Sequence, residues 1–382
     1  MAASHIRPAG DLGKFRGGSG FPVAYQGEKC GELPFFKVSD MNSPGNELFM
    51  SRANNYISES RRKRLGAVRV SARAIIFAKV GAAVFLERKR ILTQDSCIDN
   101  NMAAFIVDEG QLDVRFAHYL LVAFRMSDLV AVGALPSLNG GQLRSMPLLV
   151  PSDLSEQRRV VHALAAADDL IDGLERLIAK KQAIKLGMMQ ELLTGRTRLE
   201  GFTGPWALRP LGDLLAYEQP SRYLVASTNY TTSGTPVLTA GKTFILGHTQ
   251  ERNGIFEAVP VIIFDDFTTA SKYVEFSFKA KSSAMKMLSA CPGINVRFIF
   301  ERMQLIDFVA VDHKRRWIAE YSRIQVAVPP LDEQDAVAAV IQDAGREIEA
   351  LNQRLIKTRA IKQGMMQQLL TGRVRLPVEA DV

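Results

Sequence analysis

The chain has 382 residues, 47% of them hydrophobic, which is enough to bury a core in two or three domains and too apolar for a disordered polypeptide. A formal net charge of +8 favours a polyanionic partner, whereas Cys30, Cys97 and Cys291 are too scattered for a disulfide framework or a paired-ligand zinc site. No apolar run reaches the ~18 residues that span a bilayer, and MAASHIRPAGDLG lacks the apolar centre of a signal peptide, so a soluble cytoplasmic protein is expected.

The first globular stretch runs over residues 1–151. Its RGGSGFP segment, with Gly17, Gly18 and Gly20, lacks the strand-before and helix-after context of a dinucleotide loop and reads as a surface or DNA-facing loop. FMSRANNYISESRRKR then places Arg52, Asn54, Asn55 and Tyr56 ahead of Arg61, Arg62, Lys63 and Arg64. Arg suits guanine and Asn suits adenine in the major groove, while clustered cations suit phosphates, so the first group is a candidate base reader and the second a phosphate clamp. A basic run by itself is ordinarily a solvated face, and it is the neighbouring polar forks that lift this one above that reading. LPSLNGGQLRSMPLLVP adds Ser137, Asn139 and Gln142 as DNA-facing candidates. His5, His118 and His248 have no partner spacing and read as ordinary residues.

A long helix is expected over 152–199. Pro151 ends the preceding strand, Ser155 is the expected N-cap, and Val160, Leu164, Ala167, Ile171, Leu174, Ile178, Met188 and Leu192 form an apolar stripe. Steps of four and three residues are a coiled-coil signal, and about 40 residues at 1.5 Å each give a rod on the order of 60 Å. Gly195 is the expected stop.

The second globular stretch, 200–329, has a different sequence. Lys242 in LTAGKT, Lys272 in TTASK, and Lys314 and Arg315 in HKRRW, which also holds His313, Arg316 and Trp317, are its DNA-facing candidates. Asp265, Asp266 and Glu275 before Lys279 resemble a magnesium-dependent nuclease pattern. VEFSFKAK alternates at strand period, however, so Glu275, Ser277 and Lys279 are expected on one exposed sheet face. GxxxxGK[ST], NPPY and FxGxG signatures are all missing, so no motif supports translocase or methyltransferase catalysis by this chain.

A second helix is expected from 330 through the tail to 382, and it repeats the first. AIKLGMMQELLTGRTRL at 183–199 returns as AIKQGMMQQLLTGRVRL at 360–376, and Leu154, Glu156 and Gln157 return as Leu331, Glu333 and Gln334, all 177 residues on. Asp332 is the second expected N-cap, Gly372 the second stop, and Val337, Ile341, Ala344, Ile348, Leu351, Leu355, Met365 and Leu369 the second stripe. Such stripes often belong to separate cores, but six or more large apolar side chains per helix would each forfeit roughly 1.5–3 kcal/mol in water, which favours mutual burial. Connectivity favours an antiparallel pair, with Lys185 opposite Ala344 and Lys362 opposite Ala167, each lysine escaping past a small residue. A two-fold axis through such a pair exchanges the two globular domains, an arrangement suited to duplex DNA with two half-sites.

On these residues, the prolines followed by LxEQ and the duplicated KxGMMQxLLTGRxRL, the chain resembles the specificity subunits of Type I restriction-modification enzymes over essentially its whole length. LPSLNGGQLRSMPLLVP and VIIFDDFTTASKYVEFSFKAKSSAMKML, at 261–288, are also similar to that family's recognition domains. The resemblance implies an α/β (α+β) fold with target-recognition domains at 1–151 and 200–329, joined by two helices in an antiparallel coiled coil of pseudo-two-fold symmetry. It implies a non-catalytic, sequence-specific DNA-binding subunit in which each domain reads one half of a bipartite asymmetric site and the rod sets the spacing. Expected partners are double-stranded DNA, two modification (methyltransferase) subunits and, through them, restriction/translocase subunits, with no membrane. No cofactor is expected in this chain, and S-adenosylmethionine, ATP and Mg are expected only in the partner subunits. The alternative is a helical scaffold or interaction protein without sequence-specific DNA reading.

Overall fold

In a computed structural model the described residues are 4–130, 136–239, 243–308, 316–318 and 320–377. The first half of the chain forms β1 (Ser4–Pro8), β2 (Gly13–Gly17), β3 (Leu33–Phe36), β4 (Phe49–Met50), β5 (Tyr56–Ile57), α1 (Glu59–Leu65), β6 (Ile75–Ala78), β7 (Lys89–Leu92), β8 (Cys97–Ile98), β9 (Met102–Val107), α2 (Val114–Ala123), α3 (Gly140–Ser145), β10 (Pro147–Pro151) and the long helix α4 (Leu154–Leu192). The second half forms β11 (Ala207–Pro210), α5 (Leu211–Leu214), β12 (Leu215–Glu218), β13 (Thr235–Leu238), β14 (Ile245–Thr249), β15 (Val261–Asp265), β16 (Ser271–Val274), β17 (Lys279–Ala280), β18 (Met285–Ala290), α6 (Val296–Met303), β19 (Gln325–Val328) and the long helix α7 (Leu331–Leu369). The mixed helix and strand content meets the expected fold class.

Two compact units result, one of Met1–Gly173 with Leu355–Val382 and one of Leu174–Arg354. Each therefore holds part of both long helices. The first unit carries a five-stranded sheet ordered β2-β9-β6-β7-β4, a three-stranded sheet β5-β3-β8 and the pair β1-β10. The second carries a four-stranded sheet β12-β18-β15-β16, a three-stranded sheet β14-β13-β17 and the pair β11-β19. The two sequences are unlike, but the plan is the same: β3 pairs antiparallel with β5 and parallel with β8, as β13 does with β14 and β17.

The central strands β6 and β15 are apolar but for Asp265 at the end of β15, because both of their faces are covered. In β6, Ile75 and Phe77 face the core that α2 joins, while Ile76 faces a second cluster with Met50, Val70 and Leu92. β15 alternates in the same way, with Ile262 and Phe264 in one cluster and Val261 and Ile263 in another. The expected VEFSFKAK strand is broken instead into β16 and β17. Lys279 is buried, donating to the Asn253 carbonyl at 2.6 Å and pairing with Glu251 at 3.0 Å, so it does not share an exposed face with Glu275 and Ser277. Alternation is only a local signal, and here a buried ion pair draws the lysine inward.

The long helices begin one residue before the expected caps. Asp153 caps α4, its Oδ1 accepting from Ser155 N at 2.8 Å, and Ser155 itself lies inside the first turn. α7 starts at Leu331, and Asp332 Oδ1 accepts from the adjacent Glu333 N at 3.0 Å. The LxEQ glutamine sets these starts in both units. Gln157 Oε1 accepts from Asp113 N at 2.8 Å while its Nε2 donates to the carbonyls of Pro151 (2.9 Å) and Gln111 (3.1 Å). Gln334 Oε1 accepts from Asn295 N at 2.9 Å while its Nε2 donates to the Pro329 carbonyl at 2.9 Å. Asp113 and Asn295 are the N-caps of α2 and α6, so each long helix is fastened to the helix of its own domain.

Within each unit the long helices run antiparallel. In the first, Asp168 pairs with Lys362 and Glu156 with Arg375 (3.6 Å); in the second, Lys181 pairs with Glu347 at 2.7 Å and Arg198 with Glu333 at 2.5 Å. Lys185 Nζ lies 3.4 Å from where a Cβ on Gly345 would stand, and Lys362 meets Asp168, so the register sits one residue from the expected Ala344 and Ala167. Lys362 ends in an ion pair instead of escaping into solvent past a small side chain. The repeated exit segments finish the cores, Met189, Leu192 and Leu193 in the second unit and Leu369 and Leu370 in the first. Met189 is thus buried where Met188 was expected, and Gly195 and Gly372 end their helices at φ +71° and +66°, where glycine has no Cβ to clash.

Candidate nucleic-acid interface

In the first unit four connections converge beyond the end of β6. Lys79 N donates to the Asn101 carbonyl and Leu138 N to the Lys79 carbonyl, both at 2.8 Å, while Gly18 N reaches the Met102 carbonyl at 3.0 Å. The glycine loop is built for this approach, since a Cβ on Gly18 would stand 1.8 Å from the Asp99 carbonyl oxygen and one on Gly17 2.9 Å from Lys79 Nζ. The rim so formed exposes Asn100, Asn101 and Ser137 and carries the Lys79 ammonium. Asp99, buried beneath it, has its pKa raised by burial, against the pull of the Asn101 and Val38 amides.

The second unit repeats the junction beyond β15. Asp266 N donates to the Ala284 carbonyl at 3.1 Å and Arg316 N to the Asp266 carbonyl at 3.0 Å, so Asp266 stands where Lys79 does. Its Oδ1 accepts from Arg316 N (3.0 Å) and Trp317 N (2.9 Å), and Lys286 lies 3.3 Å from its other oxygen, with both side chains almost fully excluded from solvent. Asp265 accepts from Phe267 N and Thr268 Oγ1. These carboxylates are spent on loop structure, and among the described residues no group of three or more potential ligands could hold a metal. Trp317 and Arg316 are buried, Trp317 edge-on to Phe264 with centroids 5.2 Å apart, so they belong to the core and not to a basic surface patch.

The sequence candidates divide by what their side chains touch. Arg52 is exposed and its guanidinium makes no hydrogen bond or ion pair among the described residues. Asn54 donates to Asp40 Oδ1 at 2.6 Å; Asn55 is buried, accepting from Gly27 N at 2.8 Å; and Tyr56 is half-buried in β5. In α1, Arg61 pairs with Glu28 and lies over the Tyr25 ring, and Arg62 is forked onto Glu59 and bound to the Ala67 carbonyl. The Arg62 contact holds the Glu59 carboxyl below its usual range. Lys63 and Arg64 are exposed without such partners among the described residues. Asn139 and Gln142 form a capping box on α3, and Gln142 also donates to the Leu129 carbonyl at 2.6 Å, whereas Ser137 is exposed. Lys272 is exposed on β16, and Lys242, Lys314 and Arg315 lie outside the described residues.

Arg52 and Asn54 lie on the connection between β3 and β5, and Ser137 to Gln142 between α2 and β10. Lys79, Asn100 and Asn101 carry no motif, and the adjacent amides of Asn100 and Asn101 are the one signal of them in the sequence. The Asp113-Val-Arg-Phe and Asn295-Val-Arg-Phe pair also marks the equivalent capped helices. Chemically, the rims offer cations, amides and backbone donors, the groups that phosphates and base edges accept from.

A family model described as the Type I restriction modification DNA specificity domain matches residues 4–185. A curated relative, the Type I restriction enzyme EcoR124I/EcoR124II specificity subunit of Escherichia coli, is 43% identical over 168 residues, 42% of this chain. The match covers 41% of that relative, so the similarity spans about two-fifths of its length. Among solved structures, the Type I restriction-modification S subunit from M. genitalium shares the fold at TM-score 0.63 and 14% identity, with 96% of each chain covered. A structure from work on complex assembly and conformational transition of the Type I restriction-modification system aligns at TM-score 0.57 and 12% identity, covering 98% of this chain and all of the other. Among the described residues no helix is long and apolar enough to cross a membrane.

Proposed function

We propose that the chain, whose residues 4–185 match the Type I restriction modification DNA specificity domain, is the sequence-specific DNA-binding subunit of such a system in the cytoplasm, each unit reading one half of a bipartite asymmetric site. The observation that carries this reading is one scaffold used twice with unlike loops. Gln157 and Gln334 fasten equivalent capped helices in the same way, while the connections that project from those scaffolds differ in length and charge. Like scaffolds give equivalent placement on a helical ligand; unlike loops give two different sequences. The long helices set the spacing and dock two methyltransferase subunits, with restriction/translocase subunits joining through them. Chemistry on DNA belongs to those chains, which bring S-adenosylmethionine, ATP and Mg, while this chain binds and orients.

Titration of duplex DNA at several salt concentrations tests the binding. A steep fall of log K with log salt and preference for one duplex are expected, whereas salt-independent, indifferent binding leaves only a scaffold role. Mapping methylated sites in cells that carry the chain with its methyltransferase then gives both half-sites and their spacing.

A further inference from the structure

We propose that Arg52 reads a guanine in the half-site bound by the first unit, and that the buried Asn46 is the residue that positions it. The inference rests on the DNA-reading proposal above and names a contact within it. Asn46 is fully excluded from solvent, in the connection between β3 and β5, and all of its amide contacts hold neighbouring backbone. Oδ1 accepts from Ser51 N (3.0 Å) and Arg52 N (3.1 Å), while Nδ2 donates to the Arg52 carbonyl (2.7 Å) and the Asp40 carbonyl (2.8 Å). One side chain thus grips Arg52 by both its amide and its carbonyl. Asp40, equally buried, closes the connection from its two ends, taking Lys37 N on Oδ2 (2.7 Å) and Asn54 Nδ2 on Oδ1 (2.6 Å).

A loop tied at these points would be over-built for a solvated turn. Its product is a fixed backbone at Arg52, whose guanidinium passes over Gly45, with Cζ 3.6 Å from where a Cβ would stand, and makes no hydrogen bond or ion pair among the described residues; the Glu47 carboxyl, held below its usual range first by the Gly45 amide, also feels its charge. Four other arginines of this region are neutralised within the protein, Arg61 by Glu28, Arg62 by Glu59, Arg69 by Asp95 and Arg73 by Glu109. Arg52 differs in having no hydrogen bond or ion pair on its fork among the described residues while its backbone is rigidly mounted, which is what bidentate contact with guanine O6 and N7 requires. A phosphate contact would need the charge but not the mount.

The test is selection from a pool of randomised duplexes by the full-length chain and by its R52A, R52K and N46D variants, with melting curves alongside. Asp is isosteric with Asn but cannot donate to the Arg52 and Asp40 carbonyls. Expected are loss of a roughly tenfold or greater guanine preference at one position in R52A and R52K, erosion at that same position in N46D, and no further loss in N46D/R52A. R52K keeps the inference testable if N46D fails to fold. R52A weakening all duplexes alike, with the salt slope reduced by about 0.9, would mark Arg52 as a phosphate contact and overturn it. Additive losses in the double variant would remove Asn46 from the role, and a wild-type chain that selects no sequence would remove the DNA-reading proposal along with this one.

Discussion

Arg198, at the end of the first copy of the repeat, forms a two-pronged ion pair with Glu333, at the start of the second copy, and Glu333 also accepts from Trp206 Nε1 at 3.2 Å. The counterpart pair in the other unit, Arg375 with Glu156, is 3.6 Å long and more exposed. The same two motif positions are thus occupied twice and used with unequal strength.

That inequality sets an order of stabilities. Glu333 is 1% exposed and holds both the Arg198 fork and the Trp206 indole N–H, so removing it strands two donors around a closed site, while Glu156, 9% exposed, meets Arg375 at the longer distance of 3.6 Å. Glu333→Ala is expected to lower the unfolding midpoint by several degrees and Glu156→Ala by much less, as thermal melts of the two variants would register. Equal losses would contradict the asymmetry.

The glutamine clamps carry a larger cost. Gln157→Ala or Gln334→Ala removes two or three buried hydrogen bonds and leaves the Asp113 or Asn295 amide without its acceptor, for about 2–4 kcal/mol by denaturant unfolding. Gln→Glu at either position should be no milder, since a carboxylate cannot donate to the facing Pro151 or Pro329 carbonyl.

Stability of the first unit should fall at acid pH through His118. The ring is buried with Nε2 3.1 Å from the Lys89 carbonyl, and burial pulls its pKa down to about 4 from the ordinary 6.5. A depressed pKa means that the unfolded chain takes up the proton first, so this contribution is fully present above pH 6.5 and is lost as pH falls toward 4. The loss amounts to at most about 3 kcal/mol. His118→Gln should flatten this part of the stability profile, measured by unfolding at stepped pH, and an unchanged slope would contradict it.

DNA binding should separate the cations of α1. Lys63→Ala and Arg64→Ala are each expected to weaken binding to all sequences and to reduce the salt slope by about 0.9 if each meets a phosphate. Arg62→Ala should leave that slope alone and lower stability instead, because its fork is already committed to Glu59 and the Ala67 carbonyl. A slope change in Arg62→Ala alone would reverse the assignment.

Residue order alone is enough to read the helical repeat, its antiparallel pairing and its register to within one residue. These follow from periodic apolar positions and from the order of elements, both of which are local in the chain. Residue order also marks out Arg52 to Arg64 as a cluster of basic and amide side chains.

Which basic and amide side chains stay available depends on contacts made by the folded chain. Arg61, Asn55 and Lys279 look like Arg52 and Lys63 in one dimension, but each is bound by a partner distant in sequence, as with Glu28 for Arg61 or Asn253 for Lys279. A side chain's charge is fixed by its chemistry, whereas its freedom to meet a ligand depends on which neighbour the fold brings within hydrogen-bonding distance. The same holds for the kinship of the two domains. It resides in strand pairing and in two capped helices, which unlike sequences can build equally well so long as the alternation of buried faces is kept.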